Sequence, residues 1–90
     1  MKVEFRRSFG KDLGKIRDGE LLDRIKDAIE GIENAKSILE VNNVKKLKAN
    51  GEYYRIRIGD YRIGFTFDEE LELIVLVRIL HRREMYRYFP

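Results

Sequence analysis

The spacing of apolar residues along this chain shifts from two to 3.6 and back to two. Val3 and Phe5 alternate with Lys2, Glu4 and Arg6, which predicts a short strand. Phe9, Leu13 and Ile16 then recur at helical spacing, with Ser8 placed to cap the helix and Asp18-Gly19 to end it. Gly10 and Gly14 weaken that helix by roughly 1 kcal/mol each against alanine. From Glu20 onward the stripe is clearer, running through Leu21, Leu22, Ile25, Ala28, Ile29, Ile32 and Ala35. Asp23, Arg24, Lys26, Asp27, Glu30 and Glu33 fill the opposite face, which reads as a solvated surface. The pattern predicts an amphipathic helix of about 16 residues. Residues 36–50 read as a connection anchored by Val41, Val44 and Leu47.

Three strands are predicted next. Tyr54, Ile56 and Ile58 alternate with Tyr53, Arg55 and Arg57. Tyr61, Ile63, Phe65 and Phe67 alternate with Arg62, Gly64 and Thr66. Gly59-Asp60 between them is a two-residue hairpin signal. Such a turn sets Ile58 opposite Tyr61, Arg57 opposite Arg62, Ile56 opposite Ile63 and Arg55 opposite Gly64. Residues 71–80 are apolar on both faces, as in a central strand covered on both sides. Residues 82–89 form a short helix or an extended tail, whose Met85, Tyr86, Tyr88 and Phe89 need something to pack on. The order β-α-α-β-β-β predicts an α+β fold. A helical hairpin packs on a mainly antiparallel four-stranded sheet, within a single domain spanning residues 1–90.

Composition narrows the chemistry. The 43% apolar and 39% charged residues suit a soluble globular chain. With no cysteine and one histidine, neither a thiolate nor an imidazole metal centre is expected, and no cofactor. No apolar run or signal-peptide core points to a membrane, so the expected location is cytoplasmic. The net charge of +3 is unevenly placed. Residues 1–44 balance, and the acids Asp68, Glu69, Glu70 and Glu72 separate two basic segments. The first holds Lys45, Lys46, Lys48, Arg55, Arg57 and Arg62 against Glu52 and Asp60; the second holds Arg78, Arg82, Arg83 and Arg87 against Glu84. Clustered positive charge favours a polyanion.

The predicted register puts Arg55, Arg57 and Arg62 on one face of the hairpin. Like charges opposite one another repel, so such a face is seldom built for stability. Its nearest acids in sequence, Glu52 and Asp60, are too few to neutralise it. The guanidinium fork suits phosphate. Gly64 opens a hollow beside the charges, and Arg78 is a further candidate for the same face. Lys45, Lys46, Lys48 and Arg83 extend the candidate surface for a polyanion such as RNA, DNA or the ribosome. Tyr53, Tyr86 and Tyr88 are candidate stacking surfaces for splayed bases. His81 has an unperturbed pKa suited to proton transfer near neutrality, or else makes a structural hydrogen bond at a strand end.

At these residues the chain resembles the RelE toxins of bacterial and archaeal toxin–antitoxin modules, within the wider RelE/ParE superfamily. The matching segments are V-K-K-L-K at 44–48, Y-Y-R-I-R-I-G-D-Y-R-I at 53–63 and H-R-R-E-M-Y at 81–86. The resemblance implies a metal-independent, ribosome-dependent endoribonuclease (an mRNA interferase). It would cut messenger RNA in the ribosomal A site by 2′-hydroxyl attack on the adjacent phosphate, inhibiting translation. It also implies a cognate antitoxin partner and an oligomeric toxin–antitoxin complex. The site residues it carries over are Arg55, Arg57 and Arg62, Arg82 or Arg83 past the last strand, and Tyr86, with His81 as the proton-transfer candidate. Some relatives place lysine where Arg57 stands; arginine cannot act as a base, so that role is open. A ParE-like gyrase inhibitor without nuclease activity, or an inactive toxin retaining only antitoxin binding, are the alternatives.

Overall fold

The structure is a computed structural model that describes residues 1–47 and 53–89. Its elements are β1 (Lys2–Phe5), α1 (Arg7–Gly14), α2 (Gly19–Asn34), a 3-10 turn (Ile38–Glu40), β2 (Val44–Lys46), β3 (Tyr53–Ile58), β4 (Tyr61–Asp68), β5 (Leu73–His81) and α3 (Arg82–Tyr88). The strands form one five-stranded sheet in the order β1-β5-β4-β3-β2. The α+β class and the predicted order hold. The fifth strand, β2, comes from the segment read as a connection, where Val44–Lys46 pairs antiparallel with Tyr54–Ile56. Three residues are too few to show a period, which is why the pattern missed it.

The hairpin register is as the sequence implies: Ile58 with Tyr61, Arg57 with Arg62, Ile56 with Ile63, Arg55 with Gly64. Gly59 takes φ 58°, the left-handed conformation that glycine adopts without steric cost. Tyr54, Ile56 and Ile58 point with Ile63, Phe65 and Phe67 into the main core, where Ile25 and Ile32 of α2 and Phe9 of α1 meet them. Tyr54 stacks on Phe65 with ring centroids 5.5 Å apart.

The helix boundaries differ from expectation. Asp18 starts α2 instead of ending α1; its Oδ1 accepts from the backbone N–H groups of Glu20 (3.0 Å) and Leu21 (3.2 Å). Ser8 lies inside α1, and Arg6 stands at the cap position. Ser8 instead donates from Oγ to the Val77 carbonyl at 2.6 Å. That bond belongs to a larger arrangement. β1 pairs in parallel with β5 only as far as Leu76, which leaves the next part of the β5 edge open. Helix α1 covers it: Arg6 N–H donates to Leu76 O, Ser8 to Val77 O, and buried Asp12 accepts from Ile79 N–H at 3.1 Å. Covering an edge in this way satisfies backbone groups that would otherwise template aggregation.

Candidate nucleic-acid interface

The second face of the sheet carries the arginines. Arg57 and Arg62 are directly opposed across β3 and β4, and Arg55 lies two rungs away opposite Gly64. Lys45 of β2 stands opposite Arg55 and extends the row. Among the described residues none of these four groups pairs with a carboxylate. Arg62 is braced from behind: its Nη1 donates to the carbonyls of Gly59 (2.8 Å) and Tyr61 (2.9 Å). Partial burial lowers its pKa, and the charges of Arg57, Arg55 and Arg82 lower it further. It stays cationic, but the direction registers a crowd of like charges.

Helix α3 crosses this face. Arg82 N–H donates to Asp60 O at 2.7 Å, tying the helix start to the hairpin turn. Met85 and Phe89 are buried with Leu80, and Leu47, Tyr53 and Val77 pack around them in a second, smaller apolar cluster. This anchorage places Tyr86 at the arginines. Its ring centroid lies 5.1 Å from the Arg55 guanidinium carbon. Hydrogen bonding by Arg55 and then its charge hold the phenol below its ordinary value, with smaller help from Arg62 and Lys45. Tyr86 is 75% exposed, so its far face is open to a ligand.

The hollow expected over Gly64 is filled. A Cβ at Gly64 would stand 2.6 Å from Cδ2 of Phe89, whose ring lies directly on the glycine. Tyr53 meets that ring edge-on, with centroids 5.8 Å apart. Gly64 thus makes room for the chain's own tail, and Tyr53 is a wall of that slot.

Other candidates lie elsewhere. Arg78, though opposite Gly64, turns round the β5 edge and binds Asp12 in a bidentate pair, Nε to Oδ2 at 2.7 Å and Nη2 to Oδ1 at 3.0 Å. That hydrogen bonding raises its pKa, and its charge is neutralised on the spot. His81 is opposite Tyr61 on the core side of the sheet, with ring centroids 5.5 Å apart. Its Nδ1 caps α3 by accepting from Arg83 N–H at 3.2 Å. The structure does not bring His81 to the arginine group; the strand-end structural bond is what it makes. Lys46 points to the core side, with Nζ 5.8 Å from the Tyr54 ring centroid. Tyr88 lies with Arg78, 6.0 Å from its guanidinium carbon. Arg83 is exposed, and Lys48 falls outside the described residues. The sequence reading missed Asp12, whose one signal is an acid set among Phe9, Leu13 and Ile16 in the apolar spacing that opens with α1.

Known proteins share this fold. The family described as ParE toxin of type II toxin–antitoxin system, parDE, matches residues 3–86. Toxin RelE3 of Methanocaldococcus jannaschii is 42% identical over 91 residues, covering 100% of both chains. A RelB-RelE antitoxin–toxin complex from Methanococcus jannaschii contains a chain of the same fold, with TM-score 0.78, 39% identity and coverage of 97% of this chain and 99% of that one. An archaeal RelE-RelB complex from Pyrococcus horikoshii matches in fold at TM-score 0.73 and 23% identity, covering 90% and 93% of the two chains.

Proposed function

The chain belongs to the RelE/ParE superfamily, as a toxin of a type II toxin–antitoxin system, and from that premise we propose that it is a metal-independent endoribonuclease acting on messenger RNA in the ribosomal A site. The observation that carries this reading is the group of Arg55, Arg57 and Arg62 on one face, unpaired with carboxylates among the described residues and joined by Tyr86.

In the proposed reaction the 2′-oxygen bonds to the adjacent phosphorus and the bond to the 5′-oxygen breaks. The products are a 2′,3′-cyclic phosphate and a 5′-hydroxyl. The crowded phosphorane gains negative charge, which Arg55, Arg57 and Arg62 neutralise. Arginine cannot take the 2′-hydroxyl proton. Tyr86 lies against Arg55, which lowers the pKa of its phenol, so the 2′-hydroxyl proton passes to the Tyr86 oxygen as that oxygen gives up its own proton to solvent. Arg82, at the start of α3 and near enough to Arg62 to lower its pKa, would steady the leaving 5′-oxygen, which is reprotonated from solvent. With a sparse acid–base set, alignment must come from outside, so the ribosome holds the message in line.

The test compares cleavage of ribosome-bound message with naked RNA and maps 5′ ends after brief induction in cells. Ribosome-dependent cuts that vanish in Arg62→Ala, with the circular dichroism spectrum retained, support the reading. Equal rates on both substrates, or a variant that unfolds, count against it. The matching family description, a ParE toxin, favours a second reading as a gyrase poison. Intact message with induced DNA damage would select that one. The RelB-RelE complexes support a cognate antitoxin for this chain. An acidic, elongated partner laid over the arginines and Tyr86 would silence the face by occupying it.

A further inference from the structure

One rung of the sheet joins Arg55, Gly64 and Arg78 across β3, β4 and β5. The end of the chain lays an aromatic ring on each of the three. Tyr86 lies on Arg55 at 5.1 Å, Phe89 on Gly64, and Tyr88 on Arg78 at 6.0 Å. Helix geometry explains the split: at 3.6 residues per turn, Tyr86 and Tyr88 leave opposite flanks of the buried Met85. Helix α3 therefore straddles the rung, with one guanidinium at each flank. The two guanidiniums differ in what holds them. Arg55 has no carboxylate partner among the described residues. Arg78 is fixed: both oxygens of buried Asp12 accept from it, and Ile79 N–H donates to the same carboxylate. Glu84, on the same helix as Tyr88, adds attraction toward Arg78.

The other attachments of α3 leave its roll open. The Arg82 N–H and the His81 cap hold its start, and Met85 and Phe89 hold its underside. Contacts along one line let a short helix turn about that line. At the ~6 Å outer radius of a helix, a roll of about 10° carries a side-chain tip by about 1 Å. A displacement of that size at a reacting group can cost on the order of 100-fold in rate. Tyr86 is the most exposed ring on the helix, so its own surroundings do little to fix it. We propose that Arg78 is a positioning residue: held by Asp12, it takes the Tyr88 ring and so sets the roll of α3 at which Tyr86 lies on Arg55. That Tyr86 then serves RNA cleavage rests on the nuclease reading; that Arg78 sets its place does not.

The Tyr86 phenol reports its own position, because Arg55, ahead of Arg62 and Lys45, holds its pKa down. Isotope-labelled tyrosine NMR follows that titration in the full chain, with no RNA present. Tyr88→Leu leaves the Asp12–Arg78 pair intact and removes only the ring, so the Tyr86 phenol should titrate at higher pH. Tyr88→Phe keeps the ring and should leave the Tyr86 titration in place. Arg78→Met should act like Tyr88→Leu and add nothing to it in the double variant. Arg78→Lys should restore most of the native behaviour, since an ammonium also pairs with Asp12 and sits over a ring. An unmoved Tyr86 titration in Tyr88→Leu overturns the proposal, whether or not the chain cuts RNA. A shift accompanied by lost protection of the Phe89 amide overturns it too, because α3 has then come off the sheet and not turned on it. In a cleavage assay on ribosome-bound message, Tyr88→Leu should lower kcat about two- to fivefold, the weight of one exposed guanidinium–ring contact, with KM unchanged. A rise in KM at constant kcat would assign Tyr88 to substrate binding and overturn the positioning role.

Discussion

Gly64→Ala should detach the C-terminal helix from the sheet. The new Cβ would stand 2.6 to 2.7 Å from three atoms of the Phe89 ring. Carbon atoms pack at about 3.5 to 4.0 Å, so the ring must withdraw by roughly 1 Å or leave. Phe89 is 6% exposed, and burial of a phenylalanine contributes about 1.5 to 3 kcal/mol. Alanine returns about 0.5 to 1 kcal/mol by restricting the unfolded backbone. The net loss is then about 1 to 2 kcal/mol, and each kcal/mol lowers Tm by about 4 to 8 °C in a chain of this size. Phe89 belongs to the smaller apolar cluster and not to the main core, so the loss concentrates in α3. The Phe89 amide, which donates to Met85 O at 3.0 Å, should exchange much faster. Circular dichroism melts and amide exchange read the two effects. A double-mutant cycle isolates the cause: if the ring is the obstacle, Gly64→Ala adds no further cost in a Phe89→Ala background. An unchanged melt and unchanged exchange in Gly64→Ala would refute the reasoning, and so would simple additivity in the cycle.

Asp12→Ala strips acceptors from both Arg78 and the Ile79 N–H; chemical denaturation should show a loss of about 3 kcal/mol, and Asp12→Asn a smaller one. Arg55→Ala removes the donor and charge that favour the Tyr86 phenolate, so the phenol should titrate at higher pH, toward about 10. Absorbance titration against Tyr86→Phe isolates that transition, and a wild-type value unmoved by the substitution would contradict the assigned cause. If Tyr86 is the proton acceptor, the rising limb of the cleavage–pH profile should move to higher pH with it, since its oxygen accepts only as it gives up its own proton. His81→Asn keeps an oxygen acceptor for the Arg83 N–H, so both cleavage and melting should stay near native; a deep loss of cleavage would return His81 to the reaction.

Much of the hairpin could be read in advance, because a two-residue turn fixes register and the side-chain period of two then fixes which residues share a face. That logic put Arg55, Arg57 and Arg62 together without coordinates. It stopped where register depended on longer connections. The third strand meets its partner with a shift between Gly64 and Phe65, where Val77 has no directly opposed residue. Nothing in the alternation of 71–80 announces such a bulge, so the direction of Arg78 was not legible. Asp12 was hidden for a different reason: its partner is 66 residues away. The tail was half legible. Its apolar residues demand a surface and Gly64 offers one, but strand alternation alone does not join the hollow and the tail into the single contact they make.

Parity also decides which residues past β5 can act. Leu80 lies opposite Arg62, on the arginine face, and joins Met85 and Phe89 beneath α3. One residue further, His81 must point to the other side, whatever its chemistry would suit. The chain then turns into α3, which returns Tyr86 to the arginine face one helical turn after Arg82. The crowding of cations on that face costs stability, and the means of offsetting it are local. Two carbonyls hold Arg62, and the phenol ring of Tyr86 covers Arg55. A separate apolar cluster fastens the helix that carries the ring. It follows that the arginines and the C-terminal helix form one cooperative unit: loosening α3 frees Tyr86 and leaves Arg55 facing its like-charged neighbours without that ring. A bound phosphate would relieve the same repulsion, so anion binding should tighten α3 on the sheet, and amide protection of residues 82–89 should rise with phosphate in the native chain and fail to rise in Arg55→Ala.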